Sequence, residues 1–121
     1  MARTLECILQ LPDVEVTYGA INTLKHRKHV DDFPKDLKRQ IVLKTFEEDT
    51  SPNPRTGLIN LLLTNKPYNA TRFLVHSMQE WLYGYEDNYF DVVIIEGAFM
   101  GYYMPIAKVK GKKVVLRTHN L

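Results

Sequence analysis

Two uninterrupted apolar runs near the C-terminus constrain this chain most. Val92-Val93-Ile94-Ile95 leads into Glu96-Gly97, and Val114-Val115-Leu116 leads into Arg117-Thr118-His119-Asn120. Short apolar runs without polar alternation fit strands buried on both faces of a parallel sheet flanked by helices. Parallel strands need a crossover connection, and residues 101–110, GYYMPIAKVK, supply a short helix. Met104 and Pro105 fall in its first turn, Ile106 and Val109 point inward, and Gly111 turns the chain. The unit is βαβ, which is right-handed almost without exception.

The rest of the chain completes the order α-β-β-α-α-β-α-β. Residues 2–11 have apolar positions at helical spacing until Pro12-Asp13 ends the helix. Residues 14–21, VEVTYGAI, and 40–46, QIVLKTF, read as strands. The charged stretch 24–38 is a loop with one helical turn, and 47–57, with two prolines, is a loop. Residues 58–63 are apolar and helical. From Tyr68 a long helix places Phe73, Leu74, Met78, Trp81 and Leu82 on one face, and Gly84 ends it. The fold class is therefore α/β with a mostly parallel sheet.

At 121 residues the chain has the length of one domain and needs no metal or disulfide staple. Its net charge of +2 does not by itself imply nucleic acid. Cys7 is the single cysteine and cannot form an internal disulfide, which fits a reducing compartment. No apolar run approaches the roughly 20 residues that span a bilayer, and the N-terminus has no long apolar leader segment.

Open α/β sheets bind ligands beyond the carboxyl ends of their strands. That rule selects Glu96-Gly97 and Thr118-His119-Asn120. A carboxylate and an imidazole on one sheet edge can bind sugar hydroxyls or handle a proton. The plainer reading stays open beside it: Glu96 caps a turn and His119 is an ordinary surface histidine. Gly97 and Gly101 form neither a dinucleotide fingerprint nor a phosphate loop, although a strand–glycine–helix junction can bring backbone N–H groups to a ligand. Tyr102 and Tyr103 either stack on a sugar ring or pack internally. The basic run Lys25 to His29 either meets an acidic membrane surface or is a solvated loop. Its histidines and Asp31-Asp32 make no recognisable metal spacing. His76 is read as a helix-surface residue, one turn from Arg72 and Glu80.

The C-terminal stretch FDVVIIEG, a short aromatic helix and then KVVLRTHNL resembles the N-terminal domain of bacterial family-4 glycosyltransferases of the two-domain GT-B type. In that family a strand ending in Glu-Gly is followed by a helix and a strand ending in His-Asn or His-Asp. Arg117, Thr118, His119, Asn120 and Leu121 match the RTHN-hydrophobic pattern. The match is specific over about the last thirty residues and loose elsewhere.

The resemblance implies an incomplete Rossmann-like domain, spanning 1–121, on the acceptor side of the enzyme. The family's first strand and glycine-rich loop precede the region matched, and its C-terminal domain normally holds the nucleotide-sugar. Accordingly His119 is expected to contact the sugar undergoing transfer. Glu96, Gly97, Asn120 and Tyr102 are expected to shape the acceptor site. Neither a metal nor a cofactor is expected in this chain, which alone should not catalyse. The whole enzyme would use a nucleotide-sugar donor and a glycan or lipid-linked acceptor, without nucleic acid, in the cytoplasm or at the inner face of the membrane. Loss of a central strand would leave open sheet edges, for which a homodimer is expected. The reading from another class is a stand-alone flavodoxin-like binding or interaction module without catalysis.

Overall fold

The computed structural model describes residues 2–27 and 33–118. The fold is α/β, with helices and two small parallel sheets, and the chain divides into two compact units, Met1–Asp49 and Thr50–Leu121.

The first unit opens with helix α1, Ala2–Leu9, and strand β1, Val16–Thr23. A short 3-10 turn, Leu24–His26, and helix α2, Lys35–Lys38, lead to strand β2, Ile41–Glu48. The two strands are parallel and in register from Val16 opposite Ile41 to Thr23 opposite Glu48. Both run two residues further than the sequence suggests. Glu47 and Glu48 read as loop, but pairing with Asn22 and Thr23 gives their backbone groups partners that a loop would not. Among the described residues of this unit, Leu5, Leu37 and Phe46 are the buried apolar ones.

The second unit begins with helix α3, Pro54–Leu63, four residues earlier than its apolar content suggests. Asn53 is the reason. Its side chain accepts hydrogen bonds from the Arg55 and Thr56 amides at 3.0 and 3.4 Å, and Pro54 takes the first helical position, where its missing N–H costs nothing.

The long helix expected after Tyr68 is two helices, α4, Tyr68–Thr71, and α5, His76–Tyr83. Phe73 and Leu74 therefore do not share a helical face with Met78, Trp81 and Leu82. The break is held by a distant side chain. The Tyr103 hydroxyl accepts from the Val75 amide at 2.8 Å and donates to the Phe73 carbonyl at 2.9 Å. It thereby supplies partners to backbone groups that lie outside helical pairing. Tyr103 itself is 2% exposed.

Strand β3, Phe90–Glu96, a 3-10 segment, Ala98–Tyr103, helix α6, Met104–Lys110, and strand β4, Gly111–Arg117, complete the chain. β3 and β4 are parallel and in register, from Phe90 opposite Gly111 to Glu96 opposite Arg117. The expected βα-crossover-β arrangement is present. Burial of both strand faces is not. Val92, Ile94 and Val115, on one face, are all more than 40% exposed, whereas Ile95 on the other face is buried; its neighbour Leu116, at 41%, is also left largely uncovered.

Two further expectations fail. Val109 is exposed, and Lys110 points inward with Ile106 and Ala107, because residues four apart share a helical face more closely than residues three apart and the buried stripe is centred between Ile106 and Ala107. Gly111 does not turn the chain; it is an extended residue of β4, packed so closely that an added Cβ would lie 2.6 Å from Val93 Cγ2.

Candidate functional site

The register of β3 and β4 builds the site. Both strands run the same way, so their last residues, Glu96 and Arg117, lie side by side at one sheet edge. An Arg117 guanidinium nitrogen sits 3.2 Å from Glu96 Oε1. The Glu96 side chain is only 13% exposed and that of Arg117 is 45% exposed. A carboxylate this sheltered is held in place by its cation.

Gly97 makes the exit from β3. Its φ of 98° and ψ of 138° lie in a region that a Cβ strongly disfavours. Its amide donates to the Arg117 carbonyl at 2.9 Å, and its carbonyl accepts from the Met100 amide at 3.1 Å. The glycine therefore ties the strand ends together and starts the 3-10 segment. Its own N–H is committed to Arg117, so Gly97 shapes the edge rather than presenting that donor.

Tyr102 is half-buried on the 3-10 segment, with the Lys66 ammonium 5.8 Å from its ring centroid. Tyr103, two-sided in the sequence reading, is internal packing. Phe99, on the same segment, stacks on Phe73 with centroids 5.4 Å apart. Thr118 is exposed and is the last described residue of the edge. His119 and Asn120 lie outside the described residues.

Other candidates resolve simply. His76 is on the surface of α5, 3.3 Å from Glu80 one turn on. In the basic run, Arg27 makes an exposed two-pronged contact with Glu47 at 2.9 and 3.2 Å. His29, Asp31 and Asp32 lie outside the described residues. Among the described residues no group of three His, Cys, Asp or Glu side chains could hold a metal ion, and no helix is long and apolar enough to cross a membrane.

Sequence reasoning missed Arg117 as the partner of Glu96. The signal was available: both apolar runs end on a charged residue, the charges are opposite, and parallel in-register pairing puts run ends together. Lys66 carries no comparable signal, since only the tertiary fold brings it to Tyr102.

The chain matches no protein-family model, no curated protein and no solved structure.

Proposed function

We propose that this chain forms the acceptor-side, Rossmann-like part of a glycosyltransferase that moves a sugar from a nucleotide-sugar to a glycan or lipid-linked acceptor. The observation that supports it most is the paired strand ends: Glu96, held by Arg117, stands at the edge from which Thr118 leads directly into His119-Asn120. Glu96 accepts a hydrogen bond from an acceptor hydroxyl. Arg117 fixes the direction of that carboxylate. His119 contacts the sugar undergoing transfer, where positioned donors stabilise developing charge. Tyr102 offers the edge of a ring whose face already meets Lys66, and Gly97 and Asn120 set the turns that carry Glu96 and His119. The protein works in the cytoplasm or at the inner membrane face, as a homodimer that covers open sheet edges.

The test combines binding and transfer. Sugar transfer, assayed with the protein encoded by the whole reading frame, should fall at least about tenfold in Glu96→Gln and more in His119→Ala, as for loss of a substrate hydrogen bond. In the 121-residue chain, acceptor saccharides should perturb Glu96, Gly97 and Tyr102 resonances, whereas nucleotide-sugars should not bind tightly. Tight nucleotide-sugar binding to this chain, or transfer indifferent to both substitutions, overturns the proposal. Sedimentation checks the dimer, and a monodisperse monomer excludes it.

A further inference from the structure

Helix α3 is built inside out. Leu58, Ile59, Leu61, Leu62 and Leu63 are 58, 55, 76, 72 and 77% exposed, and no residue of the helix is buried. Its inward stripe is small and polar instead. Gly57 lies against the Tyr68 ring, Asn60 Nδ2 donates to the Lys66 carbonyl at 2.7 Å, and the Thr64 hydroxyl at the helix end contacts Asn60. The Tyr68 hydroxyl in turn accepts from the Asn53 amide at 2.8 Å, which fixes the start of the helix against α4. The helix is thus anchored through its polar side and presents its aliphatic side outward. A soluble helix normally does the reverse.

The charge around it is one-sided. Between Asp49 and Glu80 the sequence holds no acidic residue, but it holds Arg55, Lys66 and Arg72. Arg55 and Lys66 are exposed. Arg55 lies one turn before Leu58 and Ile59 on the same face, and Lys66 follows three residues after Leu63. Arg72 is committed inward, donating to the Thr50 carbonyl at 2.7 Å.

We propose that α3 docks on an anionic lipid bilayer surface, lying in the interface plane with its five aliphatic side chains among the acyl chains and with Arg55 and Lys66 at the headgroups. Two observations favour lipid over a protein partner. The exposed set is wholly aliphatic, whereas protein-interface centres are enriched in aromatic residues and methionine. The acid-free stretch 50–79, on which Arg55 and Lys66 are exposed, complements a negatively charged leaflet. At ten residues the helix is about 15 Å long, suited to lying on the bilayer and too short to span it. The inference stands independently of the enzymatic reading.

Cosedimentation with phosphatidylcholine vesicles, with and without 30 mol% phosphatidylglycerol (about that fraction serving to set an anionic surface), tests it. The protein should bind the anionic vesicles, and binding should weaken with salt. Neutralising both cations, Arg55→Gln with Lys66→Gln, should weaken binding about thirtyfold, roughly fivefold for each charge. Leu61→Glu with Leu62→Glu, at sites already exposed, should abolish binding while leaving the circular dichroism spectrum unchanged. Leu61→Trp gives a second readout: its emission should shift to the blue on anionic vesicles. The proposal is overturned if the unmodified chain ignores anionic vesicles, or if Leu61→Trp shows no shift. It is equally overturned if the paired glutamates instead turn a dimer into a monomer, since the helix would then meet a second copy.

Discussion

Replacing Tyr103 by phenylalanine isolates the hydrogen bonds that interrupt the helix after Thr71. The ring, and hence the packing of a residue that is 2% exposed, is retained. Only the hydroxyl is lost, and with it the partner of the Val75 amide at 2.8 Å and of the Phe73 carbonyl at 2.9 Å. Val75 is 2% exposed, so water cannot readily replace that partner. An orphaned buried amide costs about 1–3 kcal/mol, and the half-buried Phe73 carbonyl adds roughly 0.5 kcal/mol. The expected loss is therefore about 1.5–3.5 kcal/mol, a large share of the stability of a marginal fold. Urea unfolding followed through Trp81, the single tryptophan, should show the midpoint falling by about 1–2 M at an unchanged slope. The Val75 amide should also exchange with solvent faster. Tyr102→Phe, on the half-buried neighbour, should cost less than about 0.5 kcal/mol. If Tyr103→Phe were as mild as Tyr102→Phe, the hydroxyl would not be what holds the break, and the account of α4 and α5 as separate helices would fail.

Other substitutions probe the strand ends. Gly97→Ala should destabilise by about 1–3 kcal/mol in urea titration, because φ of 98° is strained for any residue with a Cβ although the space beside it is open. Gly111→Ala should cost about 1–3 kcal/mol through collision with Val93, and adding Val93→Ala should recover part of it. Lys110 is 7% exposed and its ammonium lies 2.7 Å from Asp87, so Asp87→Ala should cost about 1–3 kcal/mol. Lys110→Met should stay within about 1 kcal/mol of the parent, since it removes the buried charge itself. The Lys112 ammonium, 2.6 Å away, holds the Asp91 carboxyl below the ordinary carboxylate range by hydrogen bonding and charge. A lowered folded pKa gives stability that is present above the unfolded value, about 3.9, and lost as pH falls through the folded one. Lys112→Gln should therefore return Asp91 toward its ordinary titration by NMR, and its stability difference from the parent should vanish in strong acid.

Sequence alone carried the local elements and failed where tertiary contacts overrode local preference. The apolar runs located β3 and β4 because residue type and length both favour strand. Their burial on two faces was misjudged, since an uninterrupted run says how much apolar surface exists and not how much is covered. Residues 68–83 have helical periodicity throughout, but Tyr103, many positions away, fixes the break. Val109 and Lys110 exchanged roles because the buried stripe of α6 runs through Ile106, Ala107 and Lys110, and Asp87 meets the Lys110 ammonium there, a tertiary pairing that polarity alone argues against. At the edge, Glu96 and Gly97 were legible from their place after a strand. Arg117 emerged only with the register, and Lys66 only with the tertiary structure.

The pairing pattern of the strands also sets how the chain can fold. Val16 pairs with Ile41, 25 positions on, and Phe90 with Gly111, 21 positions on. Among the described residues no strand pair crosses from Met1–Asp49 into Thr50–Leu121. Closing the two loops differs by only about 0.15 kcal/mol of chain entropy. Neither sheet must wait for the other, and neither gains a head start from loop length. Each parallel pair, a slow motif when its strands are far apart in sequence, closes here over a short span. Pulse-labelled hydrogen exchange during refolding should accordingly show the two sheets gaining protection independently of one another, with substitutions at Gly111 slowing only the β3–β4 sheet.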